Sequence, residues 1–128
     1  MIERLSPPGV PTPRGPYSPA VRAGDFIFVS GQGPVDPATN EMRLGDIRHE
    51  THIVLTNIQR ILEGCGATIA DVVKCSVFLA DGTDFAAMNE VYMEFFGADK
   101  PARTTVACRF ANQNMKVEID CIAYKERG

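Results

Sequence analysis

Arg103 is the side chain whose type and position most readily suggest chemistry. It follows Pro101-Ala102 at the start of an otherwise apolar run, PARTTVAC. Alternate side chains of a strand share one face at a spacing of roughly 7 Å per two residues, so Arg103, Thr105 and Ala107 line up. A guanidinium beside a small hydroxyl suits a carboxylate ligand, because its fork can bind both oxygens at once. The same residue types fit a strand-end arginine standing in water or in a structural ion pair. Glu118, in KVEIDCIAY, shares a face with Lys116 and Asp120. It reads either as part of a solvated strand face or as a carboxylate that holds or activates water near Arg103. The short link between these two strands would permit Arg103 and Glu118 to be adjacent. Tyr17, in GPYSP, is a packing anchor or a pocket wall. Ser30-Gly31-Gln32-Gly33 follows a strand directly, where glycines allow backbone N–H groups to approach an anion or simply make a turn. Asn89 interrupts an apolar helical face and is either solvated or turned to a ligand.

Other chemistries lack their signatures. The chain holds no GxSxG, P-loop or GxGxxG. His49 and His52 stand three apart in HETH, without the spacing of HExxH or a third ligand nearby, so no metal site is expected. Any catalysis therefore falls to carboxylates, water, backbone groups or a cysteine. Cys65, Cys75, Cys108 and Cys121 form no CxxC pair. Cys75, Cys108 and Cys121 sit in apolar strand-like runs, which predicts reduced, buried thiols in a cytoplasmic protein.

These residues need a scaffold. The 128 residues suffice for one domain, and 45% apolar with 23% charged residues is ordinary globular composition. A net charge of −3 argues against a broad nucleic-acid or anionic-membrane surface. No apolar run approaches the roughly 20 residues of a membrane span, and the N-terminus has no signal-peptide core. Pro7 to Pro19 holds most of the nine prolines and reads as a stiff extended segment over the surface. Strands are predicted over Asp25–Ser30, Val72–Leu79, Arg103–Phe110 and Met115–Tyr124, the last two joined by a polar loop, Ala111–Asn114. Asp46 can cap a helix to about Glu63, ended by Gly64 and Gly66. Thr83 or Asp84 can cap a second, ended by Gly97. Two helices cover only one face of such a sheet. On the strands, Val73, Cys75, Val77 and Leu79 oppose Val72 and Phe78, while Phe26 and Phe28 oppose Ile27 and Val29. Both sheet faces are thus apolar, which predicts that another subunit covers the second.

In order along the chain, GPYSPAV (15–21), VSGQGPVDPATNE (29–41), VVKCSVFLAD (72–81), FAAMNEVYMEFF (85–96), PARTTV (101–106) and VEIDCIAY (117–124) resemble the YjgF/RidA family of reactive-intermediate deaminases. The match runs from about Pro7 to Tyr124. The resemblance implies a single chorismate-mutase-like α+β domain over residues 1–128, with two helices on one face of a mixed sheet. It also implies a homotrimer with a barrel-like centre and ligand clefts between subunits. It implies that Arg103 clamps a substrate carboxylate and Glu118 orients water, with Tyr17, Ser30, Gly31, Asn89 and Thr105 in the pocket and neither metal nor cofactor. The implied reaction is hydrolysis of 2-imino acids or their enamines, such as 2-aminoacrylate or 2-iminobutyrate, to 2-keto acids and ammonia. Two departures from the family pattern bear on this. Thr105 replaces the cysteine of many members, so direct attack by water is expected. Arg109-Phe110-Ala111-Asn112 replaces a Leu-Pro loop, which alters pocket shape. Competing classes are a trimeric module that only binds small carboxylates and a ribonuclease or translation inhibitor. The acidic balance, without a basic stripe or clustered stacking aromatics, opposes the latter.

Overall fold

A computed structural model describes residues 1–111 and 114–128. The order is β1 (Ile2–Leu5), β2 (Ala20–Ala23), β3 (Phe26–Gln32), α1 (Ile47–Gly64), β4 (Val72–Leu79), α2 (Phe85–Phe96), β5 (Ala102–Ala107) and β6 (Val117–Tyr124). Short 3₁₀ turns at Ile69–Asp71 and Gly82–Asp84 lead into β4 and α2.

Helix α1 forms where its sequence signals place it. The Asp46 carboxylate accepts the His49 backbone N–H at 2.8 Å, satisfying a donor that the first turn leaves free. Val54, Leu55, Ile58, Ile61 and Leu62 recur on one face, and all are fully buried. The chain leaves the helix through Gly66 at φ +85°, a left-handed conformation that suits glycine. Asp84 precedes α2 but makes no side-chain cap; Asp81 instead accepts the Thr83 N–H and caps the preceding turn.

The strands form one six-stranded sheet in the order β1-β2-β3-β6-β4-β5. β4 and β5 pair in parallel, joined by α2 as the crossover such a pair requires; the other pairs are antiparallel. The polar link before β6 therefore does not make a hairpin with β5, because β4 lies between them. Residues 112 and 113 of that link lie outside the described residues. Strands β1 and β2, in and beside the N-terminal proline-rich segment, were not expected from the sequence.

The core lies between the sheet and both helices, as the two-helix pattern predicts. Ile27, Val29, Cys75, Val77, Leu79, Val117, Ile119 and Cys121 meet the buried faces of α1 and α2. Val73 departs from the simple alternation. The β4–β6 register shifts between Val72 and Lys74, so Val72 joins the core and Val73 is exposed. One extra residue in a bulge reverses the facing of everything before it. Cys75 and Cys121 are buried, but Cys65 and Cys108 are only partly so, and all four are free thiols.

The opposite sheet face is open in the single chain. Phe26, Phe28, Val73, Val106 and Tyr124 stand on it, each 40–44% exposed. Phe26 and Tyr124 stack edge to face with centroids 5.2 Å apart.

Candidate functional site

Sequence-selected residues gather in two places. The first surrounds a second irregularity of the sheet. Val29 pairs with Cys121 and Gln32 with Ile119, so Ser30 and Gly31 together oppose Asp120 in a bulge of β3. Ser30 is fixed by its own bonds. Its hydroxyl donates to the Ser18 carbonyl at 2.6 Å and its N–H donates to the Pro19 carbonyl at 3.0 Å. Those bonds hold the proline-rich segment against β3 and present Tyr17. The Glu118 side chain packs directly over Gly31, where any Cβ would collide with its carboxylate. Any larger residue here would force the Glu118 carboxylate to move.

Tyr17, Gly31 and Glu118 line one cavity of about 400 Å³, together with Arg14, Met42 and Met115. The Tyr17 hydroxyl accepts the Arg14 N–H at 3.2 Å. Burial, and secondarily the Asp120 charge, push the Glu118 carboxyl above its ordinary value of 4.5. A carboxylate in this state is a better proton acceptor than one in water.

The second place is the helix side of β5. Arg103 pairs in register with Cys75, whose side chain faces the core, so Arg103 points toward α2. Its guanidinium carbon lies 4.7 Å from the Tyr92 ring centroid and 5.5 Å from that of Phe85. The aromatic faces attract the cation and seat it without using its N–H fork. Among the described residues Arg103 has no carboxylate partner. Phe85, Asn89 and Tyr92 follow each other at i, i+4 and i+7 along α2, so Asn89 shares the helix face of the two rings that seat Arg103. Thr105 lies one step along the same face of β5 and pairs with Val77. Beneath Arg103, burial pushes the Cys75 thiol up to about 11, so it stays protonated near neutrality.

The two places do not meet within one chain. Glu118 pairs with Phe78, on the opposite face of β4 from Cys75. Arg103 and Glu118 therefore lie on opposite faces of the sheet with β4 between their strands, and the expected adjacency is corrected on this point. His49 is exposed, and the His52 ring stacks on Phe95 at 5.4 Å. Among the described residues no three His, Cys, Asp or Glu side chains gather as a metal site, and no helix is long and apolar enough to cross a membrane.

A family model described as endoribonuclease L-PSP matches residues 9–125. The chain belongs to the YjgF/RidA family. It is 48% identical over 126 residues to a RutC family protein of Pyrococcus horikoshii, covering 98% of this chain and 100% of that one. It is 42% identical to the 2-iminobutanoate/2-iminopropanoate deaminase of Dermatophagoides farinae, covering 95% of each. Among solved structures it resembles E. coli TdcF with bound serine, with TM-score 0.89, 33% identity, and 97% and 99% coverage. The α+β fold with two helices on a mixed sheet is thus that of the YjgF/RidA proteins.

Several residues of the two places escaped the sequence reading. Phe85 and Tyr92 belong to the apolar helical face that Asn89 interrupts, and it is the fold that turns their rings toward a cation. Arg14, Met42 and Met115 come from separate segments, and no local pattern connects them. Of the altered segment Arg109–Asn112, Ala111 lines the cavity and Asn112 lies outside the described residues.

Proposed function

We propose that this YjgF/RidA protein hydrolyses 2-imino acids and their enamine tautomers to 2-keto acids and ammonia. The observation that carries this reading is the Arg103 guanidinium, seated on two aromatic rings with its fork unoccupied by any carboxylate among the described residues. Such a fork is prepared for an acid ligand at little ordering cost. The name of the Dermatophagoides relative and the serine held by TdcF, an amino acid, support the same ligand class.

In this account the site is completed between two copies of the chain in a homotrimer. Arg103, Thr105 and Asn89 of one copy meet the Glu118, Gly31 and Tyr17 cavity of its neighbour. The opposite-face placement of the two groups and the open apolar sheet face support that assembly. Arg103 clamps the carboxylate and fixes the imine carbon. Glu118, in its ionised form, orients a water whose oxygen adds to that carbon while a proton passes to the imine nitrogen. The resulting carbinolamine breaks its C–N bond, releasing ammonia and the keto acid. Orientation and fixed electrostatics supply the acceleration. Thr105 and the protonated Cys75 offer no thiolate, which favours direct attack by water.

A coupled assay tests this. A pyridoxal-phosphate dehydratase generates 2-aminoacrylate or 2-iminobutyrate, and the protein is expected to accelerate ammonia and keto-acid release. Keto-acid binding without acceleration would instead assign a carboxylate-binding module. RNA cleavage abolished by Arg103→Ala would assign the nuclease activity in the family model's name.

A further inference from the structure

We infer that Arg14 is a second anion-binding group in the Glu118 cavity and selects 2-imino acids bearing a distal carboxylate, such as 2-iminoglutarate. This rests on the imine-hydrolase reading and names its substrate class.

The cavity has two charged lining residues among those described, Glu118 and Arg14, and they are not paired with each other. The lining also includes the apolar Met42, Met115 and Val35 beside the polar Thr12, Gln32 and Tyr17. Methionine side chains adapt to a methylene chain. In the single chain the cavity has a volume of about 400 Å³, within the range of about 300–1,000 Å³ typical of ligand sites, before a neighbouring copy closes it.

Arg14 is anchored at the wall. It sits between Pro13 and Gly15-Pro16, where the prolines restrict the backbone. Its N–H donates to the Tyr17 hydroxyl, and one guanidinium nitrogen donates to the Asn40 carbonyl. Asn40 is itself fixed. It adopts φ +60°, its amide oxygen accepts the Thr12 N–H at 2.9 Å, and its N–H donates to the Asp36 carbonyl at 2.7 Å. One anchored nitrogen leaves the remaining guanidinium donors without a carboxylate among the described residues. With the 2-carboxylate on the neighbour's Arg103 and the imine carbon at Glu118, a substrate tail extends along the methionines. A terminal carboxylate then reaches Arg14. Hydrolysis remains balanced as before: 2-iminoglutarate and water give 2-oxoglutarate and ammonia.

The test compares 2-iminoglutarate with chain-matched 2-iminopentanoate, each generated in place by an amino-acid oxidase. The readout is the ratio of their kcat/KM values. A charge-assisted contact predicts a ratio at least about tenfold in favour of the dicarboxylate. Arg14→Gln is expected to lower that ratio about tenfold, and Arg14→Glu to lower it further. Hydrolysis of the monocarboxylate with no dicarboxylate preference, or with a ratio indifferent to Arg14, would overturn this inference and leave the imine-hydrolase reading standing. If neither imine is hydrolysed, that reading fails instead. Calorimetry with 2-oxoglutarate and 2-oxopentanoate then decides the role of Arg14. Tighter binding of the diacid that is lost in Arg14→Gln supports it, and equal binding refutes it.

Discussion

In the proposed reaction Arg103 clamps and Glu118 holds water, and each role carries its own prediction. Arg103→Lys keeps the charge but loses the planar fork and its seat on Tyr92 and Phe85. The expected outcome is a fall in kcat/KM of at least about tenfold with an unchanged circular dichroism spectrum. Glu118 has a raised pKa from burial and from Asp120. In the proposed reaction its ionised form orients water, so activity is expected to fall as pH drops through a value above the ordinary 4.5. Asp120→Asn removes the neighbouring negative charge and is expected to move that acid limb to lower pH in a pH–rate profile. The sign for stability is opposite. A carboxyl with a raised folded pKa contributes stability below its unfolded pKa, and that contribution is lost as pH rises through the folded value. Glu118→Gln is therefore expected to raise Tm at pH 7 while lowering turnover, which differential scanning calorimetry and the imine assay measure together. The residue types of this site were legible in the sequence, because a lone arginine opening an apolar strand and a glycine pair after another are local patterns. Their meeting was not, since which face each residue occupies depends on pairings distant in the chain. Arg14 shows the same limit: it is one more surface arginine until the fold brings Tyr17 and Glu118 to the same cavity.

The elements hold these side chains through two bulges and one buried carboxylate. At Ser30–Gly31 the bulge creates the space that Glu118 fills, so Gly31→Ala is expected to displace that carboxylate and abolish measurable hydrolysis. A structure of the variant would show the displacement. Glu50, fully buried in α1, accepts the Lys116 N–H at 2.6 Å and the Gly45 N–H at 3.2 Å. It ties the start of α1 to the residue preceding β6, and thus to Glu118 two residues further on. Glu50→Ala leaves two buried or half-buried donors unpaired and is expected to cost at least about 2 kcal/mol in chemical denaturation. Helix α1 was readable from its cap, glycine stop and period, α2 from its period and Gly97, and β4 from its apolar run, whereas the expected Thr83 or Asp84 cap of α2 does not form. Strands β1 and β2 were not, because four-residue strands beside a proline-rich segment carry too little alternation to register. Val73 was placed on the wrong face because a bulge leaves no mark in the apolar pattern.

At the scale of the molecule, an apolar sheet face and a divided set of site residues point to the same remedy, a second copy of the chain. Apolar residues on both faces of the strands were visible in the sequence, and the fold shows why: the helices cover only one of them. Phe28 stands at the middle of the open face, 42% exposed. Phe28→Asp is expected to yield a folded monomer by analytical ultracentrifugation and, with it, loss of hydrolysis. The most direct measurement mixes two inactive proteins. Arg103→Lys and Glu118→Gln chains are co-expressed, and hybrid trimers are purified and verified by native mass spectrometry. In the proposed assembly each site draws Arg103 from one copy and Glu118 from its neighbour, so every purified hybrid trimer keeps one intact site of three and is expected to recover about a third of the wild-type rate. Verified hybrids with no activity above that of either parent would contradict the account.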